Sequence, residues 1–280
     1  MKNICALIVT FNPDIKLLLN NIYSIKDQVD TVYIVDNCSS NINEIKKHIC
    51  SIDNLHIFCN EKNYGIAYAL NKGFELAKKD CYEWVLTLDQ DSICPEKMVE
   101  KFLPFMDAEK VGIVCPLVDY KNYYRKKDHT GNEFDYVNAC MTSGSMTSIK
   151  AWGKVVGFDV WLFIDCVDND FCIKLESAGF KIIRVNGVVI KHELGNATKV
   201  KFGPISFTTF NYNAFRNYYI VRNNLYLNYK YRDKMNVTRN LSILLYNEMI
   251  KIVFEKKKIG TIGSLGRGLI DGLKKIVRSL

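Results

Sequence analysis

No run of about 18 apolar residues occurs in this 280-residue sequence, so it offers no helix that would span a bilayer. Nor is there an N-terminal basic stretch followed by an apolar signal core. ICALIVT (Ile4–Thr10) is too short for one and leads directly into structure, so the expected location is the cytoplasm. The ten cysteines include no C-x-x-C pair, which argues against a structural zinc site. Most stand in apolar strand-like or helical context (Cys5, Cys81, Cys115, Cys166, Cys172) and are expected as reduced, mostly buried thiols. The absence of G-x-G-x-x-G speaks against a dinucleotide site, and the absence of G-x-x-x-x-G-K-[ST] against P-loop chemistry. No internal repeat or low-complexity segment is evident.

The chain is long enough for one large domain, or for one domain with an appendage, and its apolar and charged fractions are those of a soluble globular protein. Its net charge of +8 is unevenly spread. Residues 1–200 hold 23 Lys and Arg against 26 Asp and Glu, a net of −3, whereas residues 201–280 hold 15 against 4, a net of +11. Such asymmetry suggests an anionic partner for the tail, either nucleic acid or a membrane surface. The segment KIVFEKKKIGTIGSLGRGLIDGLKKIVRSL (251–280) interleaves Lys and Arg with Ile, Leu, Val and Phe. Segments of this kind lie in the membrane interface and are drawn to anionic lipid. A basic helical layer packed on protein would show the same composition.

Over the first 120 residues apolar runs alternate with amphipathic segments. Strands are expected at Ile4–Thr10, Thr31–Asp36, Leu55–Asn60, Glu83–Asp89 and Val111–Val118, and a helix at Ile66–Lys79 with Ile66, Ala69, Leu70, Phe74 and Ala77 on one face. This alternation implies an α/β fold with a mostly parallel, doubly wound sheet. Pro95 suits the first turn of the next helix. Residues 120–135 read as a polar loop. A helix is expected at Asp168–Ala178, closed by Gly179, and then two short strands turning at Asn186-Gly187. Beyond about residue 210 the pattern is helical, basic and rich in tyrosine. The expected division is a catalytic domain at 1–210 and a helical region at 211–280.

Charged and small residues cluster where strands end. WVLTLDQDS (84–92) runs a buried strand into Asp89 and Asp91. Two acids at a strand end are ordinary turn chemistry, yet hard divalent cations also seek carboxylate oxygens at the carboxyl edge of such sheets. Thr10-Phe11-Asn12 and Asp36-Asn37 end the first two strands and meet at the same edge. Asn63-Tyr64-Gly65 opens the helix carrying Asn71, where a glycine lets a phosphate or ribose come close. Asp165, Asp168 and Asp170 precede a helix more densely than capping requires, so one of them is a candidate general base. Gly144, in VNACMTSGSMTSI, marks a place where backbone approaches a ligand. His192, alone in VIKHELGN, has the chemistry of a further metal ligand, which favours manganese as well as magnesium.

Eight stretches in one order, ALIVTFNP, VDNCSS, NYGIAYALNKG, LTLDQDS, TSGSM, FIDCVDNDFCIKLESAGF, HELG and RNYYIVRNN, cover roughly residues 4–225. In this the chain resembles the family 2 glycosyltransferases of GT-A fold, most closely their bacterial rhamnosyltransferase branch. The resemblance implies that Thr10, Phe11, Asn12 and Asp36 hold the nucleobase and ribose; Asn63, Gly65 and Asn71 are further nucleotide-sugar-binding candidates. It implies that Asp89 meets the nucleotide, and that Asp91 and His192 bind a divalent metal, Mn2+ or Mg2+. Gly144 would face the acceptor, and Asp168 would be the catalytic base, with Asp165 and Asp170 as rivals. Many members carry Glu-Asp before that helix, where this chain has Val167-Asp168. The Q-x-x-R-W motif of processive members is absent, so transfer of one sugar or a few is expected.

The implied reaction is inverting, metal-dependent transfer from a nucleotide diphosphate sugar. TDP-L-rhamnose is favoured as donor and a UDP sugar is the alternative. The implied acceptor is a glycan or lipid-linked glycan of bacterial cell-surface polysaccharide synthesis, met at the inner face of the cell membrane. Two rival classes fit less of the chain. A phosphatase of the haloacid-dehalogenase type also places D-x-D after a strand, but after the first one and before a threonine, where this chain has Ile93. A nucleic-acid-binding protein would use the basic tail, but the acidic edge at Asp36, Asp89, Asp91 and Asp168 would repel that partner, so none is expected.

Overall fold

Short apolar runs with no polar face become strands covered on both sides. In β1 (Ile4–Thr10) only Val9 is less than fully buried, and all six residues of β2 (Thr31–Asp36) are buried. A computed structural model describes residues 3–120, 131–192, 198–202, 205–255 and 258–278. It separates into two compact units, Met1–Phe163 with Val167–His192, and Ile164–Cys166 with Glu193–Leu280.

The first unit runs β1, α1 (Ile15–Ile25), β2, α2 (Ile42–Ile49), β3 (Leu55–Cys59), α3 (Ile66–Lys79), β4 (Trp84–Asp89), α4 (Met98–Met106) and β5 (Val111–Tyr120). It continues with β6 (Phe134–Tyr136), β7 (Ser145–Ser148), α5 (Ile149–Lys154), α6 (Val167–Ser177) and β8 (Lys181–His192). Among the described residues these strands form one sheet in the order β3-β2-β1-β4-β7-β5-β8-β6. β1 to β4 are mutually parallel, β7 is antiparallel to β4 and β5, and β5 and β8 run parallel. The α/β, mostly parallel sheet is the one expected. Ile8, Leu18, Ile22, Ile34, Leu86, Met98 and Phe102 lie in its core. Asp14 caps α1 by accepting from the Leu17 amide at 3.0 Å. α3 lies close on β1 because Gly73 faces Leu7, whose methyls would stand 2.3 Å from any Cβ there.

Four local expectations change. Asn186-Gly187 makes no hairpin, because β8 continues through it. A hairpin turn of this type needs positive φ at both central residues, and neither has it. Instead the pairing jumps from Pro116–Val185 to Leu117–Val189, and the extra residues form an irregularity in β8. The Asn186 amide donates to Asp135 Oδ2 at 2.7 Å and to the Asn132 carbonyl at 2.9 Å, tying that irregularity to β6. In the stretch expected as a loop, residues 121–130 lie outside the described residues, and Phe134–Tyr136 is a strand against β8. Pro95 stands three residues before α4, not in its first turn, with its carbonyl accepting from Gln28. Among the described residues, which include all ten cysteines, no disulfide forms, but only Cys5, Cys94, Cys115 and Cys172 are buried. Cys81 sits exposed, with φ +62°, in the turn after α3. Gly179 does close α6, with φ +80° and the Phe180 amide bonded back to Leu175.

The second unit holds a hairpin of β9 (Thr198–Phe202) and β10 (Ile205–Thr209), followed by α7 (Ala214–Lys230), α8 (Val237–Phe254) and α9 (Lys258–Val277). Asn213 and Asn236 cap α7 and α8, their side chains accepting from Arg216 and Arg239 amides. No helix among the described residues is long and apolar enough to cross a membrane.

Candidate active site

The parallel register brings the ends of four strands to one edge. Thr10 pairs with Asp36, Asp36 with Cys59, and Val9 with Asp89. That edge is where open α/β sheets take ligands. β7, running antiparallel, begins at the same edge with Ser145 opposite Thr87, which puts Thr142–Gly144 there too.

Asp36 is fully buried and committed to its own loop. Its Oδ1 accepts from the Thr10 hydroxyl at 2.8 Å and from Ser39 Oγ, and its Oδ2 accepts from the Ser39 amide at 2.8 Å. Ser39 Oγ in turn receives the Asn12 amide at 2.7 Å, and Asn12 Oδ1 receives the amide and hydroxyl of Ser40. Asn12 holds this position with φ +48°, a backbone region that asparagine tolerates. Thr10, Asn12 and Asp36 thus form a polar floor that locks the β1 and β2 loops together. Phe11 projects from it, 45% exposed, with its amide donating to Gln90 Oε1 at 2.9 Å.

The Gln90 bond ties the floor to the loop after β4. Asp89 is held by its backbone, its amide donating to Ser143 Oγ at 2.9 Å and its carbonyl accepting from buried Asn21. Ser143 also meets Ser92 Oγ at 2.7 Å, and the Gly144 amide donates to the Thr87 carbonyl at 2.7 Å. The D-x-D loop is therefore anchored from below, and Asp91 is exposed. Among the described residues no three His, Cys, Asp or Glu side chains gather as a complete metal cage. An exposed Asp91 on an anchored loop nevertheless fits a hard divalent cation whose other ligands are diphosphate oxygens and water. By its register opposite Tyr120, His192 ends β8 at this edge, but its side chain lies outside the described residues.

Two glycines have packing reasons. Gly65, with φ +87°, lies so close to Phe163 that a Cβ would stand 2.6 Å from its ring and from its carbonyl oxygen. That carbonyl accepts the Ile66 amide at 2.7 Å, satisfying one donor of the α3 N-terminus, while Asn63 Oδ1 accepts the Gly65 amide. Gly144, with φ +81°, leaves room for Pro116 and Ile190, at 3.1 and 3.2 Å from a built Cβ. The Asn71 amide is likewise used inside the protein. It donates to the Phe158 carbonyl and accepts from the Phe158 amide and from Trp152 Nε1, all within 3.1 Å.

The three acids around the start of α6 differ in their surroundings. Asp170 is fully buried and paired with Lys174 Nζ at 2.9 Å, and that ammonium also donates to the Gly157 carbonyl. In the second unit Asp165 meets Arg216 in a forked ion pair, at 3.0 to 3.3 Å. It stands with φ +62°, between Phe163 and Cys166, which also have positive φ. The buried Asn223 amide donates to the carbonyls of Ile164 and Asp165 at 2.7 and 2.9 Å. Asp168 is half-buried in the first turn of α6, its Oδ1 accepting from the Asn169 amide at 3.0 Å. Cys172, one turn further along, is no nucleophile. Its contact with Cys140, then burial, push its thiol well above the usual range.

Sequence reasoning missed the anchors Ser39, Gln90 and Ser143, and the tethers Arg216 and Asn223. All five lie within the stretches VDNCSS, LTLDQDS, TSGSM and RNYYIVRNN, but nothing in their local spacing singles them out.

With this geometry in view, the comparisons with known proteins agree on the class. The sequence model of glycosyl transferase family 2 matches residues 5–163, more than half of the chain. The chain belongs to that family, and it is a glycosyltransferase. A dTDP-rhamnosyl transferase, RfbF, of Shigella flexneri is 29% identical over 98% of this chain and 97% of its own length. The mannosyltransferase PcManGT of Pyrobaculum calidifontis, solved with GDP-Man and Mn2+, is similar in fold at TM-score 0.60 and 15% identity, over 99% of this chain and 76% of that one. GalNAc-T7, solved with UDP, GalNAc and Mn2+, gives a TM-score of 0.59 at 13% identity, over 69% of this chain and 44% of that one.

Proposed function

We propose that this glycosyltransferase moves one sugar, L-rhamnose from TDP-L-rhamnose, with inversion onto a glycan or lipid-linked glycan acceptor. The reading assigns residues 1–210 to donor binding and catalysis and 211–280 to attachment at the inner face of the cell membrane, in bacterial cell-surface polysaccharide synthesis. One observation supports the assignment of the base. Asp165 and Asp170, its rivals, are each engaged in an ion pair within the protein, with Arg216 and Lys174. Asp168, half-buried in the first turn of α6, stands where the family pattern puts the base, and in this reading it takes the acceptor hydroxyl's proton.

The polar floor of Thr10, Asn12 and Asp36 fixes the loops between which the nucleotide lies, and Phe11 offers its exposed ring to the base. Asp89, held by Ser143 and Asn21, orients the D-x-D loop toward the donor. A divalent ion, Mn2+ or Mg2+, would be held by Asp91 with His192 and, when bound, neutralises charge growing on the departing diphosphate. Asn71 and Gly65 act indirectly, by holding the Phe158 and Phe163 segments that precede α6.

The RfbF likeness favours rhamnose, while the UDP in the GalNAc-T7 structure keeps a UDP sugar as second reading. Nucleotide release from TDP-L-rhamnose and from UDP sugars, followed by chromatography with wild type and Asp168→Asn, tests both. Release from TDP-L-rhamnose alone, lost in the variant, is the expected result. Release from UDP sugars alone would replace the donor, and wild-type release by Asp168→Asn would move the base elsewhere.

A further inference from the structure

The C-terminal unit partly inverts the usual pattern. Beside Val221, Tyr226 and Leu227 it buries Asn217, Asn223 and Asn228 of α7 and Glu248 and Lys251 of α8. Lys251 Nζ bonds Glu248 Oε1 at 2.6 Å and Asn217 Oδ1 at 3.1 Å, while Glu248 Oε2 is buried with no hydrogen-bond partner among the described residues. Along α8 and its C-cap, Glu248, Lys251 and Glu255 recur as buried residues. Leu245, Tyr246, Met249 and Val253 follow one another on the exposed face, and Leu245 is 64% exposed.

α9 repeats the inversion. Its buried positions are Thr261, Ser264, Gly268 and Gly272, small residues at spacings of three and four. A Cβ on Gly268 would stand 2.6 Å from the Tyr218 carbonyl of α7, and one on Gly272 3.1 Å from the Arg222 carbonyl. The two helices thus touch backbone to backbone, as helices do when large apolar side chains are wanted outside rather than between them. Outside stand Ile262, Leu269, Ile270, Leu273 and Val277, the last 66% exposed. Arg267, Lys274 and Arg278 recur at helical spacing beside them.

We propose that the outer apolar faces of α8 and α9 seat in the headgroup and acyl boundary of an anionic bilayer. This gives a location to the membrane attachment of the proposed function and rests on that reading for its purpose. The charge of the tail selects the occupant. Fifteen Lys and Arg against four Asp and Glu over residues 201–280 repel a second copy of the same surface and attract acidic headgroups. The helices are too polar to cross, so they lie along the surface.

Flotation of the full-length protein with phosphatidylcholine vesicles, and with phosphatidylcholine–phosphatidylglycerol vesicles, tests the proposal. The variants are Leu269→Asp/Leu273→Asp on α9 and Leu245→Asp/Met249→Asp on α8. Wild type is expected to float with the anionic vesicles only and to be released by salt, and each double variant to bind about tenfold more weakly or less. All these positions are exposed, so nucleotide-induced thermal shifts should stay unchanged and report an intact fold. No binding to anionic vesicles, or unchanged binding by both variants, would overturn the proposal. So would a wild-type dimer in light scattering, dissolved by these variants, without vesicle binding. Vesicle binding with no sugar transfer would count against the proposed reaction and leave this surface standing.

Discussion

The two units of this chain solve opposite problems with similar residues. The first hides Ile, Leu, Val and Phe in the sheet and brings its polar side chains to one edge. The second hides Asn, Glu, Lys and small residues beside Val221 and Leu227, and turns many of its Leu, Met, Ile and Val outward. Hydrophobic burial explains the first without further assumption. In the second, close helix contact and hydrogen-bonded polar groups help hold the interior, and large apolar side chains are left exposed. Under the proposed function, chemistry belongs to the edge of the first unit and attachment to the outside of the second.

The largest effect that would sharpen this division is on catalysis. Asp168→Asn should lower transfer by about a thousandfold while nucleotide-induced thermal stabilisation persists. Loss of both together would mean that Asp168 holds structure instead.

Next in size is the first unit's packing. Gly65→Ala should cost about 3 kcal/mol in urea unfolding, since it places a methyl against the Phe163 ring and carbonyl at a φ that L residues avoid. The second unit should answer glycine replacement with two signs. Gly268→Ala should destabilise by about 1–3 kcal/mol, because the added carbon meets the Tyr218 carbonyl. Gly263→Ala, where a Cβ meets nothing within 4 Å, should stabilise by up to about 1 kcal/mol through helix propensity. Equal effects at the two sites would break the picture of helices packed through small residues.

The smallest effect is one of pH. Burial raises the Glu248 carboxyl above its ordinary value of 4.5, the Lys251 ammonium opposes this, and the Glu255 carboxylate adds to it. Glu255 is itself raised by burial. The unfolded chain then releases these protons at lower pH than the folded one. Stability that is full below the ordinary glutamate value declines as pH rises through the folded values. Melting followed from that value upward should show the decline, and Glu248→Gln should flatten it.

Much of the first unit was legible in the sequence, because buried parallel strands are written as continuous apolar runs and α3 as a periodic face. Ile4–Thr10, Thr31–Asp36 and Ile66–Lys79 carry the expected boundaries. Asn186-Gly187 misled because Asp135 and Asn132, some fifty residues earlier, hold Asn186 in an extended strand. β6 and β7 were missed as strands of three and four residues, too short for any period to register. Strand ends marked the edge of the candidate site, but not what each residue does there. The ion pairs of Asp165 and Asp170, and the bonds of Asn71 to Trp152 and Phe158, depend on partners that local spacing does not reveal for Asp165 and Asn71. Composition showed that the tail is basic and apolar, while only the packing of α7 and α9 shows which residues face out.

The central claim is that the edge holding Asp89 and Asp91 binds a nucleotide diphosphate sugar through a divalent ion. Its most direct test is thermal unfolding of wild type and Asp91→Ala with TDP, UDP, GDP and CMP, each with and without manganese, because a ligand bound only by the folded state raises its apparent stability. The account predicts a manganese-dependent shift with TDP that disappears in Asp91→Ala. An equal shift in the variant, or no shift with any nucleotide, would contradict it.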